Sequence, residues 1–214
     1  MRIAIAGGHG KVAMRLTRLL AERGDEVRSL IRNGAHADDV REAGAEPVVC
    51  DLEASDPVQA AQAVGPVDAV VFAAGAGPGS GPARKESMDY GGAVKLIAGA
   101  KENGIDRFLM VSSRGADPKA EGDGAFSVYL RAKGRADAEL QASGLAYTIV
   151  RPAMLSDDPG TGRVRVGDDI GGGEISRDDV AAVLAAVLGS AGTIGKTFDV
   201  TSGEVPIEEA IAAL

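Results

Sequence analysis

Tyr129 and Lys133 stand four residues apart in a Tyr-x-x-x-Lys spacing. On a helix this spacing puts both side chains on one face, so both can reach one site. An ammonium beside a phenol stabilises the phenolate and readies it for proton exchange with an oxygen. Ser112 and Ser113 precede the pair at the end of a β-type run, and one of those hydroxyls could bind a substrate carbonyl. In this chain order the three parts suit acid/base work on a carbonyl or an alcohol. Plainer roles are also open to them. Serines cap turns, and Tyr129 and Lys133 fit a partly exposed helix face.

Such groups need elements to position them and a bound partner to work on. Residues 3–16, IAIAGGHGKVAMRL, supply a short β-type run, a glycine cluster and a helical apolar rhythm. A strand that feeds through glycines into a helix builds a phosphate-binding corner. Gly7, Gly8 and Gly10 let the backbone turn tightly, and the free N–H groups of the helix N-terminus face the anion. Lys11 and Val12 open that helix. His9, inside the loop, is placed either to touch a phosphate or to face solvent. The second strand ends in Leu30-Ile31-Arg32-Asn33. A carboxylate there would grip a ribose 2′-hydroxyl. Arg32 suits a 2′-phosphate instead, with Arg28 on the same side of the strand, so NADP(H) is favoured over NAD(H). Asp51 and Leu52 close the third strand, and Ala73, Ala74 and Gly75 close the fourth. Both ends face the crevice at the carboxyl edge of the sheet. The stretch from Gly75 to Gly81 is glycine-rich enough to form a lid.

The strands expected are Arg2–Ala6, Glu26–Ile31, Pro47–Cys50, Ala69–Ala74, Arg107–Ser112 and Ala146–Val150. They are near-continuous apolar runs, as strands buried on both faces are. Helices are expected over Lys11–Arg23, His36–Ala43, Val58–Val64, Asp89–Asn103 and Ala125–Ser143, most of them closed by a glycine. Repeated βα units force parallel strands and right-handed crossovers. The expected fold is α/β, a doubly wound parallel sheet of order 3-2-1-4-5-6 plus a C-terminal strand, with helices on both faces. Later elements are a strand at Arg163–Val166, a helix started by Ser176 with Asp179 as a partial capping box, a strand at Thr197–Val200 and a helix from Ile207. Residues 1–214 read as one domain, with 152–214 shaping the substrate side.

The chain has 214 residues, 45% of them apolar but only 3% aromatic, so the core must be built from Ala, Val, Leu and Ile. Its net charge of −8 argues against nucleic acid and anionic membranes as partners. Cys50 is the sole cysteine, and with His9 and His36 it offers no metal-ligand spacing. Asp157, Asp158, Asp168 and Asp169 read as solvated loop acids. No leader pattern opens the chain and no apolar run spans a bilayer, which points to a soluble cytoplasmic protein. The Ala-rich helical faces at 89–103 and 125–143 suit packing on the sheet or on a second subunit, hence a monomer or a homodimer.

The chain resembles the atypical short-chain dehydrogenases/reductases, small NAD(P)-binding proteins of the NAD-dependent epimerase/dehydratase-like or NmrA-like kind. The resemblance rests on AGGHGKVA at 6–13, SLIRN at 29–33, CDLE at 50–53, VVFAAGAG at 70–77, DYGGAVKLI at 89–97, RFLMVSS at 107–113, YLRAK at 129–133 and SGLAYTIVRPAMLSDDPGTG at 143–162. It implies that Gly7, Gly10 and neighbouring amides bind the pyrophosphate and that Arg32 holds the 2′-phosphate. Asp51 and Leu52 would frame the adenine, with Ala73, Ala74 and Gly75 lining the nucleotide. Ser113 would polarise a carbonyl, Tyr129 would act as acid/base, and Lys133 would hold the nicotinamide ribose and tune Tyr129. Ser112 would stand beside the cofactor, and the segment from Pro152 and Ala153 to Leu155 would pass the nicotinamide. Ala13 takes the place of a third glycine. The tail is too short for a nucleotide-sugar epimerase of the extended kind. The implied activity is hydride transfer to or from a small carbonyl or alcohol substrate. A non-catalytic NADP(H)-binding sensor and a flavin or quinone reductase are the alternatives.

Overall fold

A computed structural model describes residues 1–77 and 79–214; Pro78, inside the expected glycine-rich lid, lies outside the described residues. Six parallel strands form the centre of the sheet: β1 (Arg2–Ala6), β2 (Glu26–Ile31), β3 (Ala45–Val49), β4 (Ala69–Phe72), β5 (Arg107–Val111) and β6 (Ala146–Pro152). Their spatial order is β3-β2-β1-β4-β5-β6, the expected 3-2-1-4-5-6. The switch point lies between β1 and β4, which pair in parallel from Ile3↔Ala69 to Ala6↔Phe72. A second pair of strands, β7 (Met154–Ser156) and β9 (Glu174–Ser176), forms a small separate sheet. Beyond β6 the main sheet continues through β10 (Lys196–Ser202), parallel to β6, then β8 (Arg163–Gly167) and β11 (Val205–Pro206), both antiparallel additions.

Both faces of the sheet are buried, which explains the unbroken apolar runs. Side chains alternate between faces along a strand. Ile3, Ile5, Val71 and Leu109 pack with Leu16 and Leu20 of α1 (Lys11–Glu22) and with Val180, Val183 and Leu184 of α7 (Arg177–Gly189). Ala4, Ala6, Val70, Phe72, Phe108 and Met110 pack on the other face. That face is covered by α3 (Pro57–Val64), α5 (Ala93–Glu102) and α6 (Ala125–Ala142). The remaining helices are α2 (Ala37–Glu42), α4 (Pro82–Arg84) and α8 (Ile207–Ala212).

The structure departs from expectation where α4 and α5 meet. Helical structure begins at Pro82 rather than Asp89, and Lys85–Gly92 is wound as a π-helix between the two. The wider turn re-aims Lys85 and Asp89 relative to an α-helix, a distortion common at functional sites. The capping box at α7 is half made. Ser176 accepts the Asp179 N–H at 3.0 Å, but the buried Asp179 carboxylate turns from the cap to accept the N–H groups of Thr161 and Gly162. It thereby fixes the loop before β8.

Gly134 lets α6 approach the segment after β5. A Cβ on Gly134 would lie 2.3 Å from the Asp117 carbonyl carbon and from Pro118 N. Backbone cannot yield there as a flexible side chain would, so Gly134→Ala is expected to destabilise the protein by about 1–3 kcal/mol. Urea unfolding of the variant checks this, and an unchanged midpoint would contradict the contact.

Candidate active site

The site is assembled along the carboxyl edge of the sheet from the ends of β1 to β5. At the glycine corner the backbone is tightly specified. Gly7 has φ +77° and a Cβ there would fall 2.6 Å from Ala74 Cα, so the β1 and β4 ends touch only because no side chain intervenes. Gly8 is buried against Ser29, and its N–H bonds the Leu30 carbonyl at 2.9 Å. Gly10 is the N-cap of α1 without any side-chain cap, and the first intrahelical bond runs from Met14 N–H to Gly10 O. The N–H groups of the first turn are therefore open to an anion.

A cleft of about 220 Å³ runs from this corner between the β1, β2, β3 and β4 ends. Of the residues expected to contact the cofactor, Gly7, His9, Gly10, Arg32, Asp51, Leu52, Ala73, Ala74 and Gly75 line it. His36, Asn33, Cys50, Arg84 and Met88 line it as well. His9 and His36 stack with ring centroids 3.8 Å apart, and His9 Nε2 meets Asp39 Oδ2 at 2.8 Å. Arg32 is more than half exposed and lies 3.6 Å from Glu53 Oε2. Glu53 also accepts the Arg84 guanidinium at 3.0 Å and the Ser87 hydroxyl at 2.6 Å. Burial pushes the Glu53 carboxyl up, but Ser87 and Arg84 outweigh it and hold the group below its usual range. Arg28 does not join Arg32. It lies four residues back along β2, about 13 Å away, beside Glu46 in a different surface cavity.

Ala73, Ala74 and Gly75 also line a second and larger cavity of about 760 Å³. Its other walls include Val12, Lys85, Asp89, Ser112, Phe126, Tyr129, Lys133 and Leu155. Tyr129 and Lys133 thus reach one cavity, although no hydrogen bond joins them. Lys133 is buried and its Nζ donates to the Val111 carbonyl at 3.0 Å and the Ala74 carbonyl at 3.4 Å. It pairs with buried Asp89 at 3.4 Å. The other Asp89 oxygen accepts the Ala76 N–H at 3.2 Å, which ties the π-helical segment to the strap after β4. Tyr129 is half-buried, with the Phe126 ring at 6.1 Å and Lys85 Nζ 5.2 Å from its ring centre.

The remaining expected residues lie around these two cavities. Ser112 lines the larger one, but its hydroxyl donates to Asp137 at 2.9 Å. Asp137 also takes the Arg151 guanidinium at 2.8 Å, and burial, only partly offset by Arg151 and Ser112, raises its carboxyl above the usual range. Ser113 is half-buried with its hydroxyl donated to the Arg114 carbonyl at 3.2 Å. Lys11 pairs with Asp157, which also meets Arg177 at 3.0 Å; that loop acid is a node of ion pairs, not an isolated solvated charge. Pro152 and Ala153 end and follow β6, buried, and line neither cavity. Lys85, Asp89 and Phe126 were not anticipated as site residues. Asp89 opens DYGGAVKLI, read as a helix start, whereas nothing in the sequence singled out Lys85 or Phe126.

A family model for NAD(P)H-binding proteins matches residues 7–191. The chain is 40% identical over the whole of both chains to YhfK of Bacillus subtilis (strain 168), an uncharacterised protein named as a sugar epimerase. A solved structure from Bacillus halodurans, named for an NAD-dependent epimerase/dehydratase, superposes with TM-score 0.92 at 42% identity over all of both chains. The oxidoreductase ylbE from Lactococcus lactis superposes with TM-score 0.87 at 26% identity, covering 100% of this chain and 96% of its own.

Proposed function

Since the chain belongs to the NAD(P)H-binding family, we propose that it is an NADP(H)-dependent oxidoreductase acting on a small carbonyl or alcohol substrate. The observation that carries this reading is that the two cavities adjoin. The strap Ala73–Gly75 is a wall of both, so a dinucleotide seated at the glycine corner would extend toward Tyr129. The corner fits such a group, because Cβ atoms at Gly7, Gly8 and Gly10 would fall within 3 Å of neighbouring protein atoms, so only glycines allow this tight turn, and it leaves the first-turn N–H groups of α1 uncapped. Gly7, Gly10 and the first-turn amides of α1 would hold the pyrophosphate, and Arg32 the 2′-phosphate. Asp51 and Leu52 would frame the adenine.

A reduced nicotinamide, when bound, supplies a hydride to the carbonyl carbon. The chain supplies the rest. Tyr129 gives the oxygen its proton from the Oη atom, or takes it back in the reverse direction. Lys133, anchored by Val111, Ala74 and Asp89, holds the floor of the cavity beside the ribose position. Ser113 lines neither cavity, so polarising a carbonyl from it would need the strand end as well as its hydroxyl to turn from the Arg114 carbonyl. Leu155 and Phe126 give the larger cavity apolar walls, with residues 152–214 contributing that side through Leu155.

Calorimetric titration tests the cofactor half. NADPH is expected to bind more tightly than NADH, and Arg32→Ala to weaken NADPH by about tenfold or more while leaving NADH nearly unchanged, the scale of one lost charge-assisted contact. Absence of binding for both nucleotides would sink the proposal. The fixed Lys133, which makes no bond to Tyr129, favours a second reading: a flavin or quinone reductase, or a non-catalytic sensor, in which no tyrosine proton is needed.

A further inference from the structure

The charges lining the larger cavity do not balance, and the imbalance rests on one residue. Asp89 and Lys133 neutralise each other in the floor. Lys85, at the start of the π-helical segment, has no carboxylate partner among the described residues; its Nζ donates to the Gly77 carbonyl at 2.9 Å and lies 5.2 Å from the Tyr129 ring centre. In a chain of net charge −8 this leaves a positive spot where a ligand would lie. Beyond the two serines, Ser80 and Ser112, and the glycine strap, the rest of the wall is apolar or aromatic. Phe126 leaves 68% of its surface uncovered although it faces a cavity, and it stacks loosely on Tyr129. An exposed aromatic ring beside an unpaired ammonium wants a ligand with a flat apolar body and an anionic end.

The geometry points to a planar, apolar carbonyl compound bearing a carboxylate as the substrate class, its ring system against Phe126 and Tyr129 and its anion on Lys85. This rests on the oxidoreductase reading above, which places the carbonyl at Tyr129. Lys85 is then the residue that selects substrate. A volume of about 760 Å³, shared with the nicotinamide end of the cofactor, still admits a molecule of two fused rings.

The test uses the full-length protein loaded with NADPH and two probes, 6-formyl-2-naphthoate and its methyl ester. Binding is followed by calorimetry and turnover by NADPH absorbance. The acid is expected to bind about tenfold more tightly than the ester, the scale of one hydrogen-bonded charge contact. Lys85→Gln should reduce the acid to the affinity of the ester, and Lys85→Arg should keep the preference. Phe126→Ala should weaken both probes alike. Thermal melts of the variants confirm that they fold. Equal affinity for acid and ester, an acid preference that survives Lys85→Gln, or no binding of either probe overturns the proposal. The two readings fail separately. Lys85-dependent acid binding without NADPH oxidation keeps the anion site and removes the reductase, whereas turnover with no charge preference does the reverse.

Discussion

Tyr129→Phe is expected to lower kcat/KM for carbonyl reduction by roughly 10²–10⁴, the usual contribution of a positioned general acid. The substitution removes one oxygen from a half-buried ring and leaves the stacking on Phe126 in place. NADPH affinity should therefore hold, because Tyr129 lines the larger cavity and not the nucleotide cleft. Steady-state kinetics and calorimetry on the same preparation separate the two. A variant that keeps full carbonyl reduction would remove Tyr129 from the chemistry. One that loses it but still oxidises NADPH with a flavin acceptor would show a second activity that needs no phenol.

A large loss of stability is expected from breaking the Asp89–Lys133 pair. Both side chains are almost fully buried, at 1% and 3% exposure for the two residues. Removing one partner strands the other charge in the interior, which typically costs about 3–5 kcal/mol. For a chain of this size that corresponds to a fall in Tm of roughly 6–20 °C. Lys133→Met and Asp89→Leu should each show it in calorimetric melts. The double variant should recover much of the loss, since a buried pair replaced by apolar side chains is often neutral. A double variant as unstable as the sum of the singles would mean that each side chain acts alone, Lys133 through the Val111 carbonyl and Asp89 through the Ala76 N–H.

The parts of this molecule legible in its sequence are those governed by local chemistry. The strands announce themselves because burial on both faces leaves no room for polar residues, as in Ala69-Val70-Val71-Phe72. The glycine corner is legible because three backbone contacts under 3 Å permit nothing larger. What stayed hidden depends on distances along the chain or on helix winding. Asp89 and Lys133 meet only after α5, β5 and the start of α6 have folded back on the sheet. Asp89 read as the start of an ordinary helix and Lys85 as part of the loop before it, since Lys85-Glu86-Ser87-Met88 carries no sign of a π-turn. Adjacent strand-end residues diverge, so nothing in Ser112-Ser113 said that the first hydroxyl would be drawn to Asp137 and the second to Arg114. Arg28 misled in a related way. Even spacing on β2 gave it the face of Arg32 but the far end of the sheet.

Both borders of the nine-stranded sheet carry a proline. β3 ends one side with Pro47 at its centre, and β11 ends the other with Pro206 as its second and last residue. A proline has no N–H to offer, so neither border presents an uninterrupted row of donors to an incoming strand. Self-association by strand addition, the route by which many sheet proteins polymerise, is thereby disfavoured at both margins. A pairing of two copies would have to proceed through helical surfaces, and crowding at high expression is expected to leave the chain free of sheet-extended filaments.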